Sequence, residues 1–430
     1  MFFESLKEYE GMKPGLSRIK KFFDMTGNPQ NKLNCVHIAG TNGKGSTAAF
    51  LEAVLRENGY KTALYTSPHL ADITERIKVN GKSIPKNEFN AIAGKYIKYA
   101  RQCRLSYFEY LTAIAFMYFA GQKTDIAVIE TGLGGRFDAT NVIEKPLVSV
   151  ITSISLDHCE ILGNTVEKIA FEKAGIIKKG TFAVCSEVPP KALKVIQDKA
   201  LGVSGRLFVL GGDFFVKHAS GSKFDYRGIG REINGIKIPL AGRHQLNNAA
   251  SALCAVELLA KSGYVFEDKK IKKALSRAVW AARFDVRKVT LNGKKFELVI
   301  DGAHNEEGID AFIETWNSQK YSEKKRSFIF AAMKEKDYNG TVKKVACLAD
   351  RVILPDLKNP RAVPQSVLKA EFIKYIGENK VYCAGSAKEA LDMIKSRDKA
   401  AAIGSLYLAG EILKNIKRGK KCQNNNFISG

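Results

Sequence analysis

Three short stretches hold residue types able to manage a polyphosphate and a divalent cation. The first is His37-Ile38-Ala39-Gly40-Thr41-Asn42-Gly43-Lys44-Gly45-Ser46-Thr47, set between a strand pattern and a helix pattern. Glycines let backbone N–H groups approach an anion closely, and the start of a helix adds partial positive charge. Lys44 would neutralise phosphate charge, and a hydroxyl just after it would reach a metal ion. The spacing departs from the strict phosphate-loop rule, because Ile38 stands where glycine is required and Gly45 separates Lys44 from Ser46.

The second stretch is Glu130-Thr131-Gly132-Leu133-Gly134-Gly135-Arg136-Phe137-Asp138-Ala139-Thr140-Asn141. Glu130 closes a strand, on the side where α/β sheets bind ligands, and its carboxylate could hold Mg²⁺. The glycines after it suit a loop lying over a substrate. The bland alternative is a solvated glutamate at a strand end. The third stretch runs Ser153-Ile154-Ser155-Leu156-Asp157-His158, followed by Glu172-Lys173-Ala174-Gly175. A lone histidine is more often structural than ligating, and a lone lysine usually faces solvent. Only the neighbouring strand-end clusters make a shared site competitive, and spacing alone does not bring these residues together.

The elements that must position them alternate between short β-branched runs and longer helical patterns, which argues for parallel sheets. Residues 33–39, 61–65, 125–130, 147–152 and 181–185 read as strands. Residues 45–58, 107–120, 245–262 and 268–279 read as helices, with 107–120 apolar enough to be buried. The polar, Gly-rich stretch 211–239 predicts antiparallel hairpins decorating the sheet edge. A second alternating run from about 286 to 416, with strands at 297–300, 327–331, 351–354, 380–383 and 400–403, predicts a small doubly wound domain.

At 430 residues two domains are the default. The eight cysteines are scattered without a CxxC pair, which suits reduced thiols in a cytoplasmic protein and no zinc site. No apolar run approaches the roughly 20 residues of a membrane span. Residues 1–5 lack a basic region followed by a long apolar one, so no secretion signal is expected. The net charge of +24 invites a nucleic-acid reading, but the charges fall in short scattered groups and no nucleic-acid motif accompanies them. Such a field suits polyanionic small molecules.

The segment Gly40-Thr41-Asn42-Gly43-Lys44-Gly45-Ser46 resembles the phosphate loop of folylpolyglutamate synthases and dihydrofolate synthases, within the Mur ligase superfamily. In that family Gly45 is expected. The resemblance spans most of the chain: Gly27-Asn28-Pro29-Gln30, Thr66-Ser67-Pro68-His69-Leu70, Glu75-Arg76-Ile77, the stretches 130–141 and 151–177, Gly242-Arg243-His244-Gln245, Asn248-Ala249-Ala250, Arg283-Phe284, Asp301-Gly302-Ala303-His304-Asn305 and Gly404-Ser405-Leu406-Tyr407.

The resemblance implies an N-terminal P-loop NTP-binding domain with a mostly parallel sheet over residues 1–281, and a smaller C-terminal Rossmann-like α/β domain over 282–430. It implies that Gly40, Thr41, Asn42, Gly43, Lys44, Gly45, Ser46 and Thr47 hold ATP, joined by Asn248, Arg283, Asp301 and His304 at a domain cleft. One Mg²⁺ would lie on Ser46, Ser67 and Glu130, and a second on His158 and Lys173, with Lys173 carried as a carbamate. Phe108, Asp138 and Ala139 match positions near the pterin; Ser405 and Tyr407 would shape the glutamate side. Lys44, Glu130, His158, Lys173 and Arg283 are thus the expected catalytic residues of a ligase that adds L-glutamate to folate through an acyl phosphate. The expected partners are ATP, folate and L-glutamate, with no nucleic acid or membrane, and the expected state is a monomer. The rivals are a Mur-type peptidoglycan ligase and a nucleic-acid-associated ATPase.

Overall fold

The computed structural model describes residues 15–319 and 325–424, with side chains described as far as residue 416. The opening residues read for a secretion signal lie outside that range, as do the side chains of the basic, Asn-rich tail and the residues after 424. The chain divides into two units, Met1–Pro239 with His244–Val279, and Leu240–Arg243 with Trp280–Gly430. The excursion at Leu240–Arg243 counts with the second unit because Ala241 packs on that unit's core.

In the first unit the elements are α1 (Ser17–Thr26), β1 (Cys35–Ala39), α2 (Lys44–Glu57), β2 (Thr62–Tyr65), β3 (Ile77–Val79), β4 (Lys82–Ser83), α3 (Lys86–Gln102), α4 (Tyr107–Gly121) and β5 (Ile126–Glu130). Then come β6 (Val148–Ile151), α5 (Cys159–Leu162), α6 (Val166–Ala174), β7 (Phe182–Cys185), α7 (Pro190–Gly202) and β8 (Arg206–Val209). The unit continues with β9 (Phe215–Ser220), β10 (Lys223–Arg227), β11 (Glu232–Lys237), α8 (Arg243–Ala260) and α9 (Asp268–Arg277). Eight strands form one sheet in the order β4-β3-β2-β5-β1-β6-β7-β8, parallel from β2 to β8.

Every residue of β1, β5 and β6 is buried, as expected of strands covered on both faces, which read as continuous apolar runs. Helix α4 carries apolar residues all round and is buried accordingly; its start is set by a capping box in which Ser106 Oγ accepts from Glu109 N and Glu109 Oε2 accepts from Ser106 N.

The stretch expected to decorate the sheet edge is antiparallel, but β9, β10 and β11 form a sheet of their own in the order β11-β10-β9. A buried carboxylate on α8 holds it: Glu257 accepts from Tyr226 Oη at 2.6 Å, Gly230 N at 2.8 Å and Ile229 N at 3.2 Å. A side-chain anchor to a helix, not strand pairing, therefore decides where the hairpin lies.

The second unit holds β12 (Asp285–Leu291), β13 (Lys294–Ile300), α10 (Glu306–Ser318), β14 (Arg326–Phe330), α11 (Tyr338–Ala346), β15 (Arg351–Pro355), α12 (Gln365–Ile376), β16 (Val381–Ala384), α13 (Ala387–Asp392), β17 (Lys399–Ile403) and α14 (Leu406–Asn424). Its sheet runs β12-β13-β17-β14-β15-β16, with β12 antiparallel and the rest parallel. The core centres on Trp316, stacked on Phe312 at 5.6 Å between centroids and tilted against Phe328 at 5.2 Å. No helix among the described residues is long and apolar enough to cross a membrane.

Glu257→Ala would leave a buried phenol and two backbone N–H groups without partners. At about 1–3 kcal/mol for each unsatisfied group, thermal or denaturant unfolding of the first unit is expected to show a loss of about 3 kcal/mol or more, and Glu257→Gln markedly less.

Candidate active site

Strand β1 lies between β5 and β6, with Ile38 opposite Glu130 and Ala39 opposite Ile151. The loop leaving β1 is therefore flanked by the ends of the other two strands that carry the candidate residues. Thr41 N donates to Ser153 O at 2.7 Å, Asn42 N to Ser153 Oγ at 3.0 Å, and Thr152 Oγ1 to Asn42 O at 2.6 Å. Thr41 Oγ1 and the backbone of Ser155 exchange contacts at 3.2 and 3.1 Å. The Ser/Thr residues after β6 thus act as a clasp on the loop.

Gly43 turns the chain into α2 at φ 82°, a conformation L side chains rarely adopt, and a Cβ there would strike Asn248 Oδ1. This brings Asn248 from α8 against the loop. Lys44 Nζ lies back on the loop, donating to Gly40 O at 2.9 Å and Thr41 O at 3.0 Å. Lys173 Nζ, buried on α6, donates to the same Gly40 oxygen at 2.8 Å. Two lysines far apart in sequence therefore meet at one carbonyl.

In the first turn of α2 the hydroxyls of Ser46 and Thr47 are fully buried and have no hydrogen-bond partner. A buried hydroxyl without a partner is costly, and here both sit where a phosphate or a cation would be received. Glu130 Oε2 accepts from Ser67 N at 3.1 Å, so the carboxylate and the Ser67 segment adjoin. Asp157 holds His158 locally: His158 N donates to Asp157 Oδ1 at 2.9 Å, and its ring Nε2 lies 3.9 Å from Asp157 Oδ2. His158 is thus on the segment that clasps the loop, with its side chain partly exposed. Among the described residues no three His, Cys, Asp or Glu side chains converge as a metal cluster. A cation here would depend on hydroxyls, one carboxylate and phosphate oxygens, a donor set suited to Mg²⁺.

The loop after β5 folds back on α6. Arg136 N donates to Glu172 O at 2.7 Å, and Gly135 and Gly175 sit where a Cβ would collide with the facing backbone. Gly132 faces the Phe108 ring with no room for a side chain. The carboxylate of Asp138 ties this loop together, accepting from Leu133 N at 2.8 Å, Gly132 N at 2.9 Å, Thr140 N at 3.0 Å and Thr140 Oγ1 at 2.5 Å. Burial raises the Asp138 carboxyl against the pull of those donors. Phe108, Asp138 and buried Ala139 are therefore brought to one place, with Asp138 bonded to its own loop.

In the second unit Asp301 Oδ2 accepts from Phe284 N at 2.6 Å and Oδ1 from Ala303 N at 2.7 Å. Desolvation pushes its carboxyl up while Arg283 pulls it down. Arg283 lies between two non-glycine residues of positive φ, Ala282 at 58° and Phe284 at 44°, and its Nη1 donates to Ala282 O at 2.9 Å. His304 Nδ1 bonds Gly302 O at 2.7 Å. Arg283, Asp301 and His304 so form one constellation. Ser405 Oγ accepts from Tyr407 N at 3.1 Å, placing both at the start of α14.

Residues 38–256 match the family described as Mur ligase middle domain, and residues 282–405 match Mur ligase, glutamate ligase domain. The chain is 36% identical over 423 residues to the dihydrofolate synthase/folylpolyglutamate synthase of Bacillus subtilis (strain 168), covering 95% of this chain and 96% of the relative. This chain belongs to the Mur ligase family. A folylpolyglutamate synthase of Lacticaseibacillus casei is 32% identical, with 94% of each chain covered. Among solved structures, a Mycobacterium tuberculosis folylpolyglutamate synthase complexed with ADP superposes with a TM-score of 0.87 at 28% identity, over 96% of each chain. E. coli FolC in complex with DHPP and ADP gives 0.86 at 26% identity, over 97% of each chain.

One residue of this Mur ligase had no assigned role in the sequence although it lies in the phosphate-loop motif. His37, fully buried on β1, has Nε2 2.8 Å from Thr140 Oγ1. That hydroxyl already donates to Asp138, so it accepts from His37 Nε2–H, which fixes the neutral tautomer and leaves buried Nδ1 without a partner. His37, Thr140 and Asp138 thus link β1 to the loop beside Phe108. A histidine in an otherwise apolar central strand was the available signal.

Burial pushes the His37 imidazole down to about 3, with Lys178 adding to the effect. The unfolded chain protonates its histidine near pH 6.5, whereas the folded chain does not. The stabilising contribution is complete above pH 6.5 and is lost as pH falls toward 3, at about 1.4 kcal/mol per pH unit. Between pH 6.5 and 5 the stability of wild type is expected to fall about 2 kcal/mol further than that of His37→Gln, measured by denaturant unfolding at each pH.

Proposed function

We propose that this Mur ligase joins L-glutamate to the γ-carboxylate of a reduced folate at the expense of ATP. One observation carries the reading. A β1–α2 loop with two partnerless buried hydroxyls, Ser46 and Thr47, adjoins the strand end that carries the Glu130–Ser67 pair, while Phe108 on α4 faces Gly132 in the loop after Glu130 that Asp138 ties together. The relatives named as folate ligases support the folate reading over a peptidoglycan substrate or a nucleic-acid-stimulated ATPase.

The reaction has two steps. A carboxylate oxygen of folate attacks the γ-phosphorus of ATP, the bond to the β–γ bridging oxygen breaks, and ADP leaves. The amine of glutamate then attacks the acyl carbon, phosphate leaves, and the amine gives up a proton. The loop N–H groups and the start of α2 bind and orient the phosphates, and Lys44 moves from its own loop carbonyls to the phosphate oxygens. Mg²⁺ would be held by Ser46, Ser67 and Glu130, and a second ion by His158 and Lys173. These ions supply neutralisation of the phosphate charge. Lys173 would serve as a carbamate, formed when its neutral amine adds CO₂ and releases a proton. Arg283, Asp301, His304 and Asn248 complete the nucleotide contacts in this reading. The enzyme acts in the cytoplasm as a monomer on small molecules.

The test is phosphate release from ATP with Mg²⁺ and glutamate, comparing tetrahydrofolate, dihydropteroate and no acceptor. Release with tetrahydrofolate, matched by a product heavier by one glutamate, is the expected result; release with dihydropteroate adds dihydrofolate synthesis. Release indifferent to acceptor would overturn the folate reading.

Two substitutions probe the site. Glu130→Gln keeps an acceptor for Ser67 N and removes the charge, so kcat is expected to fall about 100-fold with little change in unfolding temperature. Lys173→Ala is expected to lose at least as much, on the scale of removing one electrostatic stabiliser. Full turnover of Lys173→Ala at saturating Mg²⁺ would remove that lysine from the site.

A further inference from the structure

The side chains of the candidate active site gather where β1, β5 and β6 end, whereas residues 175–181 lead into the opposite, amino end of β7. That turn is held on several sides. Ile176 O accepts from Ser149 Oγ of β6 at 2.9 Å, Lys178 O accepts from Thr181 Oγ1 at 3.0 Å, and Gly180 N donates to Val203 O, just past α7, at 3.0 Å. Gly205 lies so close that a Cβ on it would come within 3.1 Å of Thr181 O. Ile177 and Ala200 are buried in one core cluster, so Lys178 and Lys199, their neighbours in sequence, rise from the same rim. Ile19 of α1 and Ile143 share the adjoining cluster, and Lys20 and Glu144 follow them directly.

The charges facing the Lys178 side chain are therefore Lys199 from α7, Lys20 from α1 and Glu144 from the segment before β6. On the side of the sheet, His37 of β1 feels the Lys178 charge. Lys178 is half-buried, and its ammonium group makes no hydrogen bond or ion pair among the described residues. Burial opposes its charged form, Lys199 and Lys20 repel it, and only exposed Glu144 favours it, so the amine is pushed down to about 8. Such an amine is neutral in about one molecule in ten at pH 7, against roughly one in 3,000 for an ordinary lysine. A lysine desolvated beside other cations is a nucleophile, and the cations beside it attract phosphate.

We propose that Lys178 is a modification site that takes the acyl group of a small acyl phosphate, with Lys20 and Lys199 receiving the phosphate. The neutral Nζ attacks the acyl carbon, and the bond from that carbon to the phosphate oxygen breaks. Inorganic phosphate leaves with the bonding electrons, and Nζ gives up a proton to water. The product is an uncharged amide, so the step also removes the cation that His37 faces. The inference is independent of the ligase reading, because it uses none of the residues assigned to ATP, metal or folate.

The test treats the full-length protein with acetyl phosphate and follows each lysine by peptide mass spectrometry. At about pH 7.5, Lys178 is expected to be acetylated about tenfold faster than the exposed Lys123 and Lys269, its larger neutral fraction outweighing the lower nucleophilicity of a weaker base. Its rate should level off above about pH 8, whereas that of an ordinary lysine climbs toward about pH 10. Added inorganic phosphate should slow Lys178 severalfold and leave Lys123 and Lys269 unchanged. An uncharged acetyl ester should keep the preference for Lys178 and lose the inhibition by phosphate. Acetylation of Lys178 no faster than at the two exposed lysines, a rate still climbing above about pH 9, or indifference to phosphate would each overturn the proposal. These measurements use wild type alone. A folded Lys20→Gln, Lys199→Gln double variant should lose most of the preference, and one that keeps it in full overturns the phosphate-receiving role of the two lysines.

Discussion

The carbonyl oxygen of Gly40 organises the end of the first unit where β1 passes into α2. It accepts from Lys44, in the helix that follows the loop, and from Lys173, which lies 133 residues further on. Buried polar groups need partners, and this oxygen is the partner both ammonium groups find. It can play that part because β1 is paired on both sides, by β5 and β6, so its loop emerges between two other strand ends. The clasp of Thr152 and Ser153 on Asn42, the contact of Asn248 with Gly43, and the pairing of Glu130 with Ser67 all follow from that position.

The loop after β5 shows how a carboxylate can serve a site through its scaffold. Asp138 uses its oxygens on Gly132, Leu133 and Thr140, and through Thr140 it connects to His37 in the central strand. The loop that carries Phe108's neighbour Gly132 is therefore referenced to the same strand that leads into the Gly43 turn. Gly135 and Gly175 then let it lie directly on the turn after α6, which sets Lys173 relative to both. The β1–α2 loop and the loop facing Phe108 are held in one frame by backbone contact and short hydrogen bonds.

The second unit solves a different problem with the same kind of sheet. Its strand-end cluster is made by topology: β17 inserts between β13 and β14, so segments distant in sequence emerge side by side. Asp301 fixes the backbone beside Arg283, while Arg361 spans from the end of β15 to Tyr407 after β17. The polar side chains at these ends are bonded to backbone or to one another, which lends them defined orientations before any ligand arrives.

The alternation of strand and helix in both units was legible in the residues, because buried parallel strands require continuous apolar runs and those runs are local. The turn from β1 into α2 was legible for the same reason: Gly43, Lys44 and Ser46 sit within a single turn, and the resemblance to a ligase family rests on such short stretches. What lay beyond the sequence were meetings across the chain. Nothing local says that Lys44 and Lys173 share one carbonyl, that Asp138 spends its oxygens on its own loop, or that Glu257 pulls the hairpin sheet onto a helix. Lys178 and His37 went unassigned because an ammonium or an imidazole takes its role from what packs beside it. Hydrophobic pattern and glycine placement are properties of neighbours in sequence, and they determined the elements. Partners for buried polar groups are found across strand order, and only the tertiary structure decided those.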